Sequence, residues 1–349
     1  PALVPAARLT LSEGAPIVPP MPLDLDQHPG LARIAERCDT VPVSKEADEE
    51  AWHAVRAGGI GSSDAGAILG LSPYSSPTKV WAEKLKLVEP DDLSLDDAVR
   101  FGSNVEDVIA RWYAVRTGFQ VINPGSTFVL KDNPILRTNP DRLAITPDGK
   151  LLLVEIKTAD AHLSDDWTGD SAPPWYQAQI VQQRSVLGPA IDAMVLVCLV
   201  GGNRPKVVPV GVSDEFIDGL ATHLTKWWKT YVETGVRPPE DARAATTETL
   251  ASLYPADGSM IAADDDLLDL TVAYEDAHLA VKAAEEHKAL IGNQIRGRMG
   301  KASLAAYRGE KIATWPEITT DRFDQKGHAE KAPDCHAAHR DISDGRTLN

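Results

Sequence analysis

The sequence predicts a mixed α/β fold with a central mixed sheet flanked by helices, and three observations carry that expectation. A helical stretch over Leu95–Thr117 is followed by two strand-like segments, Arg142–Thr146 and Leu151–Lys157, on either side of Pro147–Asp148–Gly149–Lys150. That turn sequence between apolar alternations is a strong hairpin signal. Helical patterning then resumes at Trp175–Val186 before two more strand-like runs, Ala190–Val200 and Lys206–Val212. A chain that interleaves helices and strands in this way layers helices on a sheet.

Taken in order, residues 1–50 are proline-rich and weakly periodic and read as an N-terminal arm with one short helix. Residues 51–240 form the core region. A helix ending near Trp52–Arg56 leads into the glycine turn at Gly58, Gly59 and Gly61, and a second helix covers Ala65–Leu69, with Ser63 or Asp64 as its cap. Thr78–Leu87 reads as another short helix. In Leu95–Thr117 the residues Phe101, Val105, Val108, Ile109, Trp112 and Tyr113 form an apolar stripe, and Gly118 supplies the stop. In the second hairpin strand, alternation sets Leu151, Leu153, Glu155 and Lys157 on one face and Leu152, Val154 and Ile156 on the other. A helix over Asp214–Thr234 ends at Gly235. Residues 241–349 read as a mainly helical extension. They comprise one or two long helices within Ile261–Arg298, a small hairpin around Arg308–Gly309–Glu310, and a polar tail.

Composition narrows the chemistry. The 349 residues are 43% hydrophobic, enough for one large core or two smaller ones. Three cysteines without a CxxC pair support neither a zinc cluster nor an iron–sulfur site. The glycines at 58, 59 and 61 form neither a dinucleotide nor a P-loop pattern, and no HExxH arrangement occurs. No run of 18 apolar residues and no signal-peptide order point to a membrane or to export, so a cytoplasmic protein is expected. The formal charge of −16 sits awkwardly with a polyanionic partner. Net charge describes the whole surface, however, and a local positive groove is compatible with it.

The constellation that carries chemistry is Asn139–Pro140–Asp141, then Glu155, Ile156 and Lys157. Across the hairpin Asp141 and Glu155 can meet and hold a divalent cation. Magnesium takes oxygen ligands and keeps water, which suits two carboxylates, the Ile156 carbonyl and a substrate phosphate. Glu106, projected from the preceding helix, can complete that shell. Lys157 beside it can orient or help deprotonate water, or neutralise phosphate. By spacing alone a solvated hairpin and a half-exposed strand fit the same residues better than a catalytic site does.

Four segments carry a family resemblance. GGIGSSDAGAILGLSPYSSPTKVWAEK (58–84), FGSNVEDVIARWY (101–113), NPDRLAI with LLLVEIKT (139–158) and WYQAQIVQQRSVLG (175–188) resemble, in order and spacing, the signatures of the YqaJ-like viral recombinase exonucleases. These belong to the restriction-endonuclease-like superfamily and are related to the lambda-type exonuclease. The resemblance extends over about residues 51–235. It implies a restriction-endonuclease-like core and a Mg²⁺-dependent 5′→3′ exonuclease, with Mn²⁺ as a substitute. Such an enzyme resects linear double-stranded DNA ends to 3′ overhangs for an annealing or recombinase partner. By position it makes Glu106, Asp141 and Glu155 metal-site residues, Lys157 the catalytic lysine and Gln179 the glutamine that positions water or phosphate, with Gln177 and Gln183 as competitors. It places Arg56 and one of Ser62 and Ser63 near the 5′-phosphate. The usual Gly-Gly-Ser-Asp reads Gly61–Ser62–Ser63–Asp64 here, which leaves the choice of serine open. A homo-oligomer, in lambda-type relatives a toroidal trimer, is a further implication. An endonuclease on the same core and a noncatalytic DNA-end-binding protein are the alternatives.

Overall fold

In the computed structural model, residues 28–42, 49–93, 95–167 and 171–319 are described, with 328, 331–332 and 334–335 beyond them. Most of the expected arm and of the polar tail therefore lies outside the described residues. The chain divides into two compact units, Pro1–Pro255 and Ala256–Asn349.

The first unit opens with α1 (Pro29–Arg37) and β1 (Cys38–Val41). Pro29 takes the first helical position and His28 Nδ1 accepts from the Gly30 N–H, so the helix starts sharply. Leu31, Ile34 and Cys38 are buried in the main core. Residues 28–41, expected in an arm, are thus part of the packed unit. Arg37 donates to the carbonyls of Val186 and Ser185, tying this segment to the end of a later helix.

α2 (Glu49–Ala57) and α3 (Ser62–Ile68) flank the glycine turn. Gly61 is the cap of α3, in place of the expected Ser63 or Asp64. Asp64 instead lies one turn in and accepts from the Gly61 N–H at 2.8 Å. An acid there satisfies an open helical donor as well as a capping side chain would. α4 (Pro77–Lys84) is capped by Ser76. α5 (Asp97–Thr117) starts on Asp96 and ends at Gly118 in the left-handed conformation, as its sequence predicts. Its apolar stripe is narrower than expected. Ile109 and Tyr113 are buried, whereas Phe101 and Val108 are exposed, because the helix contacts the sheet through its C-terminal half.

β2 (Gln120–Ile122), β3 (Thr127–Leu130), β4 (Arg137–Thr138), β5 (Arg142–Ile145) and β6 (Leu151–Ala159) follow. α6 (Pro174–Leu187) then carries the chain to β7 (Ala193–Val200), which turns back into β8 (Lys206–Val210). The central sheet runs β2–β5–β6–β7–β8 and a smaller one runs β1–β3–β4. β6 and β7 are parallel, and the remaining neighbours in the central sheet are antiparallel, so the sheet is mixed as predicted. The β5–β6 hairpin pairs Arg142 with Val154 and closes where Lys150 O accepts from Thr146 N.

β6 has apolar neighbours on both faces. Leu151 and Leu153 join the larger core with α1, α3, α4 and α6, while Leu152, Val154 and Ile156 pack with α5. Strands covered on both faces read as continuous apolar runs, which is the Leu151–Val154 pattern. The polar stretch after β6 forms a 3₁₀ turn over Ala161–Asp166 and ends on Trp167, which is fully buried.

α7 (Asp214–Trp227) continues into a π-helical turn at Trp228–Val232, and Gly235 follows with a positive φ of 71°. α8 (Ala244–Leu253) also belongs to the first unit, so the expected boundary at 240 falls inside that unit. The second unit holds α9 (Asp265–Met299), a single helix, and the antiparallel pair β9 (Leu304–Tyr307) and β10 (Glu310–Thr314). Among the described residues no helix is long and apolar enough to cross a membrane.

Candidate active site

Glu155 is the centre of the arrangement. It sits in the middle strand of the sheet with no exposed surface. A buried carboxylate is costly unless donors surround it. Lys157 Nζ donates to Glu155 Oε1 at 2.6 Å, Gln179 Nε2 donates to the same oxygen, and Gln183 Nε2 donates to Oε2 at 2.7 Å. Alternation on β6 brings the lysine to the face of the glutamate, and one helical turn on α6 brings both glutamines over it. Gln177 is turned away and donates to the Ala172 carbonyl. The two glutamines expected to compete thus act on one carboxylate together.

Asp141 lies one step outward from the Arg142–Val154 pair, so the hairpin register sets it opposite Glu155. Its Oδ2 accepts from the Ile156 N–H at 2.7 Å. Burial pushes the Asp141 carboxyl well above the usual range, and the nearby charges of Glu155 and Glu106 add to the push. Glu106, from α5, is raised by burial and by Glu155, despite the opposing pull of Arg142. Arg142 Nη1 donates to Glu106 Oε1 at 2.7 Å, and its other nitrogen bonds Asp107. Burial works against the charge on Lys157, but Glu155 and Asp141 outweigh it and hold the ammonium protonated. The ammonium also lies 5.2 Å from the centre of the Tyr176 ring, within cation–π range.

A second cluster lies at the start of α3. Arg56 Nη2 donates to Ser63 Oγ at 2.8 Å and stands 3.7 Å from Asp64. Lys84 pairs with Asp64 at 2.7 Å. Burial alone would raise the Asp64 carboxyl, but Lys84 and Arg56 hold it below the usual range. Ser63 is exposed, whereas Ser62 is buried and shares a 2.7 Å hydrogen bond with Thr138 Oγ1. Arg137 donates to the carbonyls of Val55, Gly58 and Pro134 and so braces the turn that precedes α3.

Both clusters line one open groove of about 530 Å³, which contains Arg56, Ser63, Glu106, Asp141, Lys157 and Gln179 among its walls. Sequence reasoning missed Arg142, Lys84 and Arg137. Arg142 adjoins Asp141, and alternation sends its side chain to the α5 side, but nothing in the sequence shows which acid it meets there.

Among the described residues no three acidic, histidine or cysteine side chains form a ready-made cation cage. The donor chemistry nevertheless suits a hard cation that keeps much of its water. Asp141 and Glu106 each have one oxygen engaged, and both carboxyls are held above their usual range by burial and like charge, a strain that a cation would relieve.

The model of the YqaJ-like viral recombinase domain matches residues 51–189. The chain is 26% identical over 309 residues to the uncharacterized protein YqaJ of Bacillus subtilis (strain 168), covering 86% of this chain and 94% of that protein. Among solved structures it is similar to an alkaline exonuclease (LHK-Exo) from Laribacter hongkongensis. The two share 16% identity over 54% of this chain and 94% of the other, with a TM-score of 0.42.

Proposed function

From a chain that carries a YqaJ-like viral recombinase domain over residues 51–189, we propose a divalent-cation-dependent DNA nuclease that resects linear duplex ends 5′→3′, leaving 3′ overhangs for an annealing or recombinase partner in the cytoplasm. The observation that carries the cleavage reading is the convergence of Asp141, Glu155, Lys157 and Gln179, with Glu106 close by, along one groove wall.

Asp141, Glu155, Glu106 and the Ile156 carbonyl would hold Mg²⁺, with Mn²⁺ as a substitute. Such a cation supplies charge against the phosphate and makes water more acidic. Lys157, beside Glu155 on the groove wall, would orient or help deprotonate water, or draw in and neutralise a phosphate oxygen. Gln179 and Gln183 fix the Glu155 carboxylate, and Gln179, which also lines the groove, is placed to orient water or phosphate. Arg56 and Ser63 form an exposed donor pair on the same groove, suited to a terminal 5′-phosphate. Ser62, committed to Thr138, is left a structural part. Arg137 keeps the Arg56 turn in place.

The test compares 5′-labelled, 3′-labelled and closed circular duplexes with Mg²⁺ and with chelator. The 5′ label of linear DNA is expected to leave at once as free nucleotide while 3′-labelled strands shorten progressively, and circular DNA to survive. Glu155→Ala and Lys157→Ala should each lower the rate on the order of 10²-fold or more, the scale of losing a group that stabilises transition-state charge. Cleavage of circular DNA would replace this reading with an endonuclease, and end binding without turnover would replace it with a binding module.

A further inference from the structure

Arg142 is a buried cation on the groove wall to which the cleavage reading gives no task. Its side chain is 4% exposed, and burying a guanidinium is costly unless acceptors surround it. In β5 it pairs with Val154, which packs with α5, so alternation delivers its side chain to that helix. There Nη1 donates to Glu106 Oε1 at 2.7 Å and to the Asp141 carbonyl at 2.5 Å, while Nη2 donates to Asp107 Oδ1 at 2.5 Å.

The two acids are unequal partners. Asp107 is 60% exposed and Glu106 is half-buried, and an ion pair in open water contributes little stability. What the arrangement adds is geometry. Neighbouring residues on a helix point about 100° apart, so a planar fork that holds both acids fixes the rotation of α5 at this point. One nitrogen bridges a side chain of α5 and the backbone of Asp141, tying together two groups expected at one cation. A lysine ammonium would supply the charge without the fixed plane. Of the Glu106 oxygens, Oε1 is engaged and Oε2 has no partner among the described residues.

We propose that Arg142 is a positioning residue for the cation site. It presents Glu106 as a one-oxygen ligand, in fixed relation to Asp141, before a cation binds. The proposal rests on the nuclease reading, in which Asp141, Glu155 and Glu106 hold a divalent ion. Groups that orient a ligand typically alter metal affinity roughly 10- to 100-fold. The sign separates this role from a purely electrostatic one. A fixed positive charge beside a cation site opposes binding, so if charge were the only effect of Arg142, its loss would tighten binding. Loss of positioning weakens it.

The test titrates Mn²⁺ into the DNA-free full chain and reads free Mn²⁺ by electron paramagnetic resonance, with near-UV circular dichroism to check folding. Arg142→Lys keeps the charge and loses the fork; Arg142→Met loses both. Each is expected to weaken Mn²⁺ binding roughly 10-fold or more. Glu106→Gln, whose carbonyl oxygen can still accept from Arg142, should weaken binding as well. Adding Arg142→Lys to it should then change affinity less than about twofold, because no ligand is left to position. A general structural role would give the same loss in both backgrounds. Where an Arg142 variant does not fold, Asp107→Ala carries the test by releasing the exposed end of the fork. Its loss of roughly two- to fivefold should persist at about 0.5 M KCl, where a charge effect through solvent is screened. Unchanged affinity in Arg142→Lys, tighter binding in Arg142→Met, an undiminished loss on Glu106→Gln, or an Asp107→Ala loss that salt abolishes would each overturn the proposal and leave the nuclease reading standing. No Mn²⁺ binding by the unaltered chain would overturn the cation of the nuclease reading, and the proposal with it.

Discussion

Asp141 shows how a single residue can work against its own fold. Its carboxyl and that of Glu106 are raised, by burial first and by neighbouring acids second. The sign follows from linkage. A group whose folded pKa is raised contributes stability that is intact below the unfolded value and is lost as pH rises through the folded one. The metal-free chain is therefore expected to lose stability as pH rises from the ordinary carboxylate range through those raised values, and divalent cation should restore it. Asp141→Asn keeps an acceptor for the Ile156 N–H and removes the charge. It should stabilise the metal-free protein on the order of 1 kcal/mol at neutral pH, flatten this pH dependence, and abolish cleavage; urea titrations with and without Mg²⁺ check all but the last. At this scale the sequence was partly legible. Strand alternation alone put Glu155 and Lys157 on one face, and helical spacing put Gln179 and Gln183 on another. The grip of Arg142 on Glu106 joins residues 36 positions apart and depends on how α5 docks, which no local pattern encodes.

Among the elements, the α3–α6 contact sets the distance between the two clusters of the groove. Gly66 on α3 makes that approach possible, since an added Cβ would lie 2.9 Å from Trp175 Cβ and 3.2 Å from its backbone. Backbone cannot yield as a flexible side chain does. Gly66→Ala should cost roughly 1–3 kcal/mol, the usual range for overpacking, read as a lower urea midpoint. It should also lower cleavage by the folded fraction, because Ser63 on α3 and Gln179 on α6 move apart. Elements with strong local signals, such as the Pro147–Lys150 turn, the Gly118 stop and the alternation of β6, stand where the sequence predicts. The Gly61 cap is obscured by Ser62, Ser63 and Asp64, which are themselves favoured caps, and the π-helical turn at Trp228–Val232 does not announce itself because it depends on tertiary packing. The same cause hides the membership of residues 28–41 in the core, since their few apolar side chains look unremarkable until β3 pairs with β1.

Over the whole molecule, the division at Pro255 separates a unit with a large core from one whose long helix buries nothing. A chain ending at Pro255 should fold alone, with the unfolding free energy of the first unit changed by less than about 0.5 kcal/mol, the range for changes outside packed contacts. Calorimetry of the truncated and full chains measures this, and collapse of the shorter chain would show that the units are not independent. Within that first unit, β6 has a paired strand on each edge and a packed layer on each face. Amides so placed exchange with deuterium only when the entire unit opens, whereas edge turns exchange through local fluctuations. Glu155 and Lys157 therefore ride on the slowest-exchanging strand, whereas Arg56 lies in the last turn of α2, a nine-residue helix whose end frays before the whole unit opens. Heating should loosen the hold on the end of a substrate first and leave the bond-breaking residues in register until the fold itself gives way.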